Sequence, residues 1–135
     1  MRKAPAGGHH EGTVGAFHAD CVIEHHVHRR RSARVPRLLV DTDSEYTWIS
    51  ENALREIGVV PEKKDILFVM ANGQTVSREV GFAIIRVDEY FTVDEIVFAR
   101  KGDLQLLGAR TLEGLNLAVD PGRKKLVAAG PLPAG

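Results

Sequence analysis

The stretch LLVDTDSEYT, residues 38–47, sets Leu38, Leu39 and Val40 directly against two aspartates, Asp41 and Asp43, spaced two apart. Val35 to Val40 reads as a strand running into the loop at Asp41, so Asp41 stands where that strand ends. Carboxylates at the rim of a low-dielectric interior are groups whose protonation the surroundings can tune, and this makes the stretch the first candidate for chemistry.

Upstream, Phe17, Ala19, Cys21 and Ile23 alternate with His18, Asp20 and Glu24. A strand is expected over about residues 14–27, then a charged turn at 29–32, then the strand 35–40. Cys21 falls on the apolar side of the alternation and is expected to be buried and inert. It is the only cysteine, which excludes an internal disulfide and a thiolate zinc cluster within one chain.

Downstream, ISENALREIG (49–58) is punctuated as a short helix. Ser50 stands as N-cap, Glu51 lies in the first turn, Gly58 lies just past the end, and Ile49 is placed to pack on Leu54. ILFVMANGQTVSREV (66–80) sets two extended arms around Asn72-Gly73, a pair suited to a two-residue hairpin turn. Strands over about 81–87 and 91–98, joined near Asp88 and Glu89, come next. LQLLGARTLEGLNL (104–117) then gives an apolar strand, a glycine and a brief helix with Leu112 and Leu115 at helical spacing. Asp120-Pro121-Gly122-Arg123 suits a type II turn.

Length and charge bound the remaining possibilities. A chain of 135 residues suits one domain, expected over 13–129 between frayed tails at 1–12 and 130–135. Lysine plus arginine number 18, as do aspartate plus glutamate, so no overall field points to nucleic acid or an anionic membrane. No run has the length of a membrane span or the apolar core of a signal peptide, and a cytoplasmic protein is expected. In EHHVHRRRSAR (24–34), His26 and His28 would share a strand face, but no histidine or cysteine follows His28 to complete a metal site. The arginines read as a solvated turn; without interleaved aromatic residues they do not make a single-strand nucleic-acid platform.

Three readings of residues 41–45 follow. Asp, Thr and Ser at a strand end can simply shape a turn. An apolar strand running into D-x-D also resembles the opening of haloacid-dehalogenase-like, magnesium-dependent phosphatases, with Asp41 as nucleophile. That resemblance weakens at Glu45, and although Lys101-Gly102-Asp103 echoes a later motif, Leu107 stands where a further acid is wanted. The third reading uses the whole order of elements. LLVDTDSEYTWI, a short helix, a hairpin with an Asn-Gly tip, and an apolar-apolar-glycine strand before a second helix resemble a retropepsin-like aspartic peptidase, particularly its small bacterial members, over roughly residues 17–127.

The resemblance implies an all-β, retropepsin-like barrel with two short helices, a single lobe that dimerises. Asp41 would be catalytic. Attack of water on a peptide carbonyl needs both a base and an acid, and two adjacent carboxyls sharing one proton supply both. A chain with one such loop must then place Asp41 beside its copy across a two-fold axis. Thr42 would brace the paired loops, Asp43, Ser44 and Glu45 would face the substrate channel, and Asn72 and Gly73 would tip a flap over a peptide substrate. Leu106, Leu107 and Gly108 would support the loop from beneath, and neither cofactor nor metal is implied.

Position 43 departs from the family pattern, which has glycine there. Two unit charges about 5 Å apart at an effective dielectric near 20 repel by roughly 3 kcal/mol. Facing inward, the Asp43 carboxylate would hold a proton on the pair, attract a cation or end catalysis; facing outward, it leaves the loop functional. A dimeric peptide-binding or assembly module that has lost turnover is the alternative of a different class.

Overall fold

The computed structural model describes the backbone of residues 2–3 and all of residues 17–134. The expected strand start at residue 14, and the expected N-terminal tail apart from residues 2–3, lie outside the described residues. The chain is mostly strand with two short helices.

After β1 (Arg2–Lys3), β2 (His18–Glu24) and β3 (Ser32–Val40) form an antiparallel hairpin. β2 stops at Glu24, short of the expected Val27, because the His25 side chain takes over the backbone. Its Nδ1 accepts the amides of Val27 at 3.1 Å and His28 at 3.0 Å, and His25 N–H donates to Arg31 O at 2.9 Å. His26 and His28 therefore lie in a turn and do not share a strand face as the sequence suggests.

The β2–β3 pairing slips between Ala19 and Cys21. Pro36 has no amide to pair, and Arg37, at φ 55°, turns its amide to Asp20 Oδ1 at 2.9 Å. This bulge changes the period, so Val35, Leu38 and Val40 are all buried. Cys21 faces the same interior, 2% exposed, and burial aided by the Asp20 charge pushes its thiol up to about 12.

β4 (Thr47–Ser50) runs straight into α1 (Glu51–Glu56). Ser50 occupies the N-cap position but makes no capping bond through its side chain; its amide donates to Gln105 Oε1 at 3.0 Å. Ile49 and Leu54 are both fully buried, as the spacing requires.

β5 (Lys63–Val69) and β6 (Thr75–Val87) form the expected hairpin with a different tip. A three-residue loop, 71–73, replaces the two-residue turn. Met70 N–H donates to Gln74 O at 2.6 Å, Gly73 N–H donates to Met70 O at 2.8 Å, and of the Asn72-Gly73 pair only Gly73 takes positive φ, 86°. Asn72 Oδ1 accepts the Gln74 amide at 2.9 Å. The expected break before Gly81 is absent, because β6 is one strand of 13 residues.

β6 serves two assemblies. Val80 pairs with Lys63 on one side and Val97 on the other, so β5 and β7 (Tyr90–Ala99) occupy opposite edges. Farther along, Ile84–Arg86 pair with β2 on the edge that β5 has left. β8 (Leu106–Leu107) is parallel to β3 and meets β4 at Trp48, while β4 is parallel to β7. These pairings close a ring in the order β6–β2–β3–β8–β4–β7.

After α2 (Ala109–Leu115), β9 (Leu117–Asp120) and β10 (Lys125–Ala128) make a separate hairpin. Its turn is not type II at Gly122: Lys124 takes positive φ (52°), and Asp120 Oδ1 accepts the amides of Gly122 and Arg123.

Both faces of the central strands are buried. Ile49, Ile96, Phe98 and Leu107 point into the main core, and their neighbours Trp48, Val97, Ala99 and Leu106 enter a second cluster with Tyr46, Phe68 and Val80. Double burial explains why these strands read as continuous apolar runs.

An ion pair ties the hairpin to this frame. Arg78 on β6 grips Asp103 in the loop before β8 with Nε to Oδ2 at 2.7 Å and Nη2 to Oδ1 at 2.8 Å, and the side chains are only 13% and 10% exposed. Burial works to raise the Asp103 carboxyl, but the Arg78 bonds and the Arg100 amide outweigh it and hold it below its ordinary 3.8. Arg78→Ala should lower unfolding free energy by about 3 kcal/mol in chemical denaturation, because it strands a buried charge. The depressed carboxyl contributes in full above its unfolded value and loses that contribution as pH falls through its folded value. The stability gap between the wild-type chain and Asp103→Asn should therefore be present at pH 7 and shrink as pH is taken below 3.8.

Candidate active site

Asp41 leaves β3 at the point where β8 runs alongside. Val40 pairs with Leu107, and the Asp41 amide donates to Leu107 O at 3.0 Å. The residue is 5% exposed. Both carboxylate oxygens are held: Oδ1 accepts the Asp43 amide at 3.0 Å, and Oδ2 accepts the Ser44 hydroxyl at 3.1 Å. The Ser44 amide also closes a turn onto Asp41 O at 3.2 Å. One orientation of the carboxylate is fixed by its own loop.

The sequence-selected residues divide by exposure. Thr42, Asp43 and Glu45 are exposed, and Ser44 is buried at 4%, where its hydroxyl orients Asp41. Asp43 presents its backbone inward and has no positive φ, so the loop conformation does not require glycine at this position. Asn72 and Gly73 are exposed at the hairpin tip. The hairpin reaches the site's neighbourhood through Phe68, whose ring makes edge contacts with Tyr46 at 5.6 Å and Trp48 at 5.2 Å between centroids.

Behind the loop lies α2. The first amides of a helix have no partner within the helix, and Gly108, at the N-cap, has no side chain to supply one. The aspartate loop provides the acceptors: Ala109 N–H donates to Ser44 O at 2.7 Å, and Arg110 N–H donates to Glu45 O at 3.0 Å. This fit demands close approach. A Cβ on Gly108 would lie 2.6 Å from the Tyr46 carbonyl carbon and 2.9 Å from Glu45 O, so glycine here is a matter of space, its φ of −94° being ordinary.

Sequence reasoning missed a buried chain of hydroxyls that completes the support. Gly108 N–H donates to Thr47 Oγ1 at 2.9 Å, Thr47 and Thr111 hydroxyls lie 2.6 Å apart, and Thr111 Oγ1 donates to Asp94 Oδ2 at 2.9 Å. Thr111 has one proton and gives it to Asp94, so Thr47 must donate to Thr111. Both threonines are 0% exposed. The available signal was a threonine inside each apolar run, since a buried hydroxyl needs a partner.

Asp103, which the phosphatase reading would enlist, is occupied by Arg78. Among the described residues, no three His, Cys, Asp or Glu side chains gather as a metal site, and no helix is long and apolar enough to cross a membrane. Comparison of the chain with protein-family models and with curated proteins finds no match.

Gly108→Ala should destabilise the fold by about 1–3 kcal/mol, the usual range for overpacking. Thermal unfolding measures this, and loss of amide protection at Ala109 and Arg110 would locate the damage in the loop–helix contact.

Proposed function

We propose that the chain is an aspartic endopeptidase built as one half of a homodimer, in which two Asp41 carboxylates activate a water for attack on a peptide bond. The observation that carries the reading is the Asp41 loop itself. A carboxylate sits at the end of a buried strand, oriented by an amide and a hydroxyl, and the loop rests on the glycine-started helix that the retropepsin resemblance leads one to expect.

The chemistry assigns each part a task. Two carboxyls sharing one proton let one accept the water proton while the other protonates the carbonyl oxygen. The Ser44 hydroxyl and Asp43 amide keep each carboxylate from rotating away from its copy. Thr42, exposed on the same loop, would meet its counterpart across the axis, and the β5–β6 hairpin would close over the bound peptide. The residues involved are Asp41 as the catalytic group, Thr42, Ser44 and Gly108 as its support, and Asp43, Glu45, Asn72 and Gly73 toward substrate.

The exposed Asp43 carboxylate, two residues from Asp41, favours one second reading: a dimeric peptide-binding module on the same frame without turnover.

Hydrolysis of a mixed peptide library by the wild-type chain, lost by at least about 100-fold in Asp41→Asn, is the result expected of general acid–base catalysis. Activity seen only in Asp43→Gly would instead establish the binding module. Sedimentation equilibrium should return twice the chain mass; a strictly monomeric active protein would overturn the shared-proton mechanism.

A further inference from the structure

The β5–β6 hairpin has one edge that the proposed chemistry does not use. β5 pairs with β6 along its inner side, and among the described residues its outer side pairs only with β1, in parallel, with Arg2 opposite Phe68 and Lys3 opposite Val69.

An open edge presents unpaired backbone groups, and proteins usually guard such edges with charges, prolines or bulges. Here the guards are confined to one end. Lys63, Lys64 and Asp65 carry the charge, and the register slips there, with Asp65 at φ 56°. The run Ile66-Leu67-Phe68-Val69-Met70 that follows has neither charge nor proline. Phe68 is wholly buried and fixes the strand to the frame, while Leu67, on the opposite face, is 50% exposed and offers an added strand an apolar contact. The edge is thus rigidly held, apolar and able to pair, and a segment of the chain's own backbone already lies on it.

We propose that the outer edge of β5, residues 66–70, is a strand-addition site for an extended peptide, held in the resting chain by the N-terminal Arg2–Lys3. Recognition is through main-chain hydrogen bonds and tolerates many side-chain sequences. Residues 4–16 allow a span of about 45 Å at most, enough for pairing within one chain, and the tether gives the resident segment an effective concentration of the order of millimolar. A free peptide must compete against that advantage. The inference does not depend on hydrolysis: a catalytically silent chain would have the same edge.

The test uses the full chain and its Arg2→Pro variant, with a synthetic peptide of residues 1–8 (MRKAPAGG) as probe. Phe68 and Met70 direct their amides to β6, so the outward groups of β5 belong to Leu67 and Val69, and in the parallel register both face Arg2, opposite Phe68. Proline at position 2 removes the amide that faces β5 without touching the barrel. Amide exchange at Val69 should accelerate in Arg2→Pro and slow again when the peptide is added. Titration followed by amide chemical shifts should give at least tenfold tighter binding to Arg2→Pro than to the wild-type chain, and a peptide carrying the same Arg2→Pro change should not bind. Unchanged exchange at Val69 in the variant, equal affinity for both chains, failure of the peptide to bind Arg2→Pro, or protection appearing away from β5 would each overturn the proposal.

Discussion

The site depends on one backbone contact: the first amides of α2 donate to the carbonyls of the Asp41 loop across a glycine. Neither partner is complete alone. The helix has no side-chain cap, and the loop has carbonyls turned toward the interior; each supplies what the other lacks. Because both are held on neighbouring strands, β3 and β8, the contact also fixes where the aspartate leaves the barrel. The Thr47–Thr111–Asp94 chain extends the same principle, satisfying the Gly108 amide and ending on a carboxylate that only accepts.

Much of this was legible in residues close together in the chain. The apolar run into Asp41, the punctuation around α1, the two arms of the β5–β6 hairpin and the glycine before α2 are local signals, and the structure places an element at each. What was hidden depends on partners distant in sequence. The bulge at Asp20 and Arg37 exists because Pro36 removes an amide opposite β2, and that shifts the buried set to Val35, Leu38 and Val40. Thr47 and Thr111 lie 64 positions apart, so no window of sequence contains both. The hairpin tip was misjudged for a local reason: Asn72 prefers to accept the Gln74 amide, which leaves Gly73 alone in the left-handed region.

Asp43 shows how position changes the meaning of a residue. As sequence it is a second acid beside the first and a departure from the glycine of the resembling family. In the fold its amide stabilises the Asp41 carboxylate while its side chain remains in solvent, so backbone and side chain act in different environments. Its backbone contribution would be the same with almost any residue there, whereas its charge would matter to whatever approaches the loop.

The unbroken run of β6 has a mechanical consequence. The strand that forms one arm of the hairpin continues without a joint into the barrel wall, where β2 and β7 grip it from both sides. Swinging the tip therefore means flexing a beam clamped at its far end and pinned partway by Arg78, so the force needed to lift it is set by the stiffness of the wall that also supports Asp41.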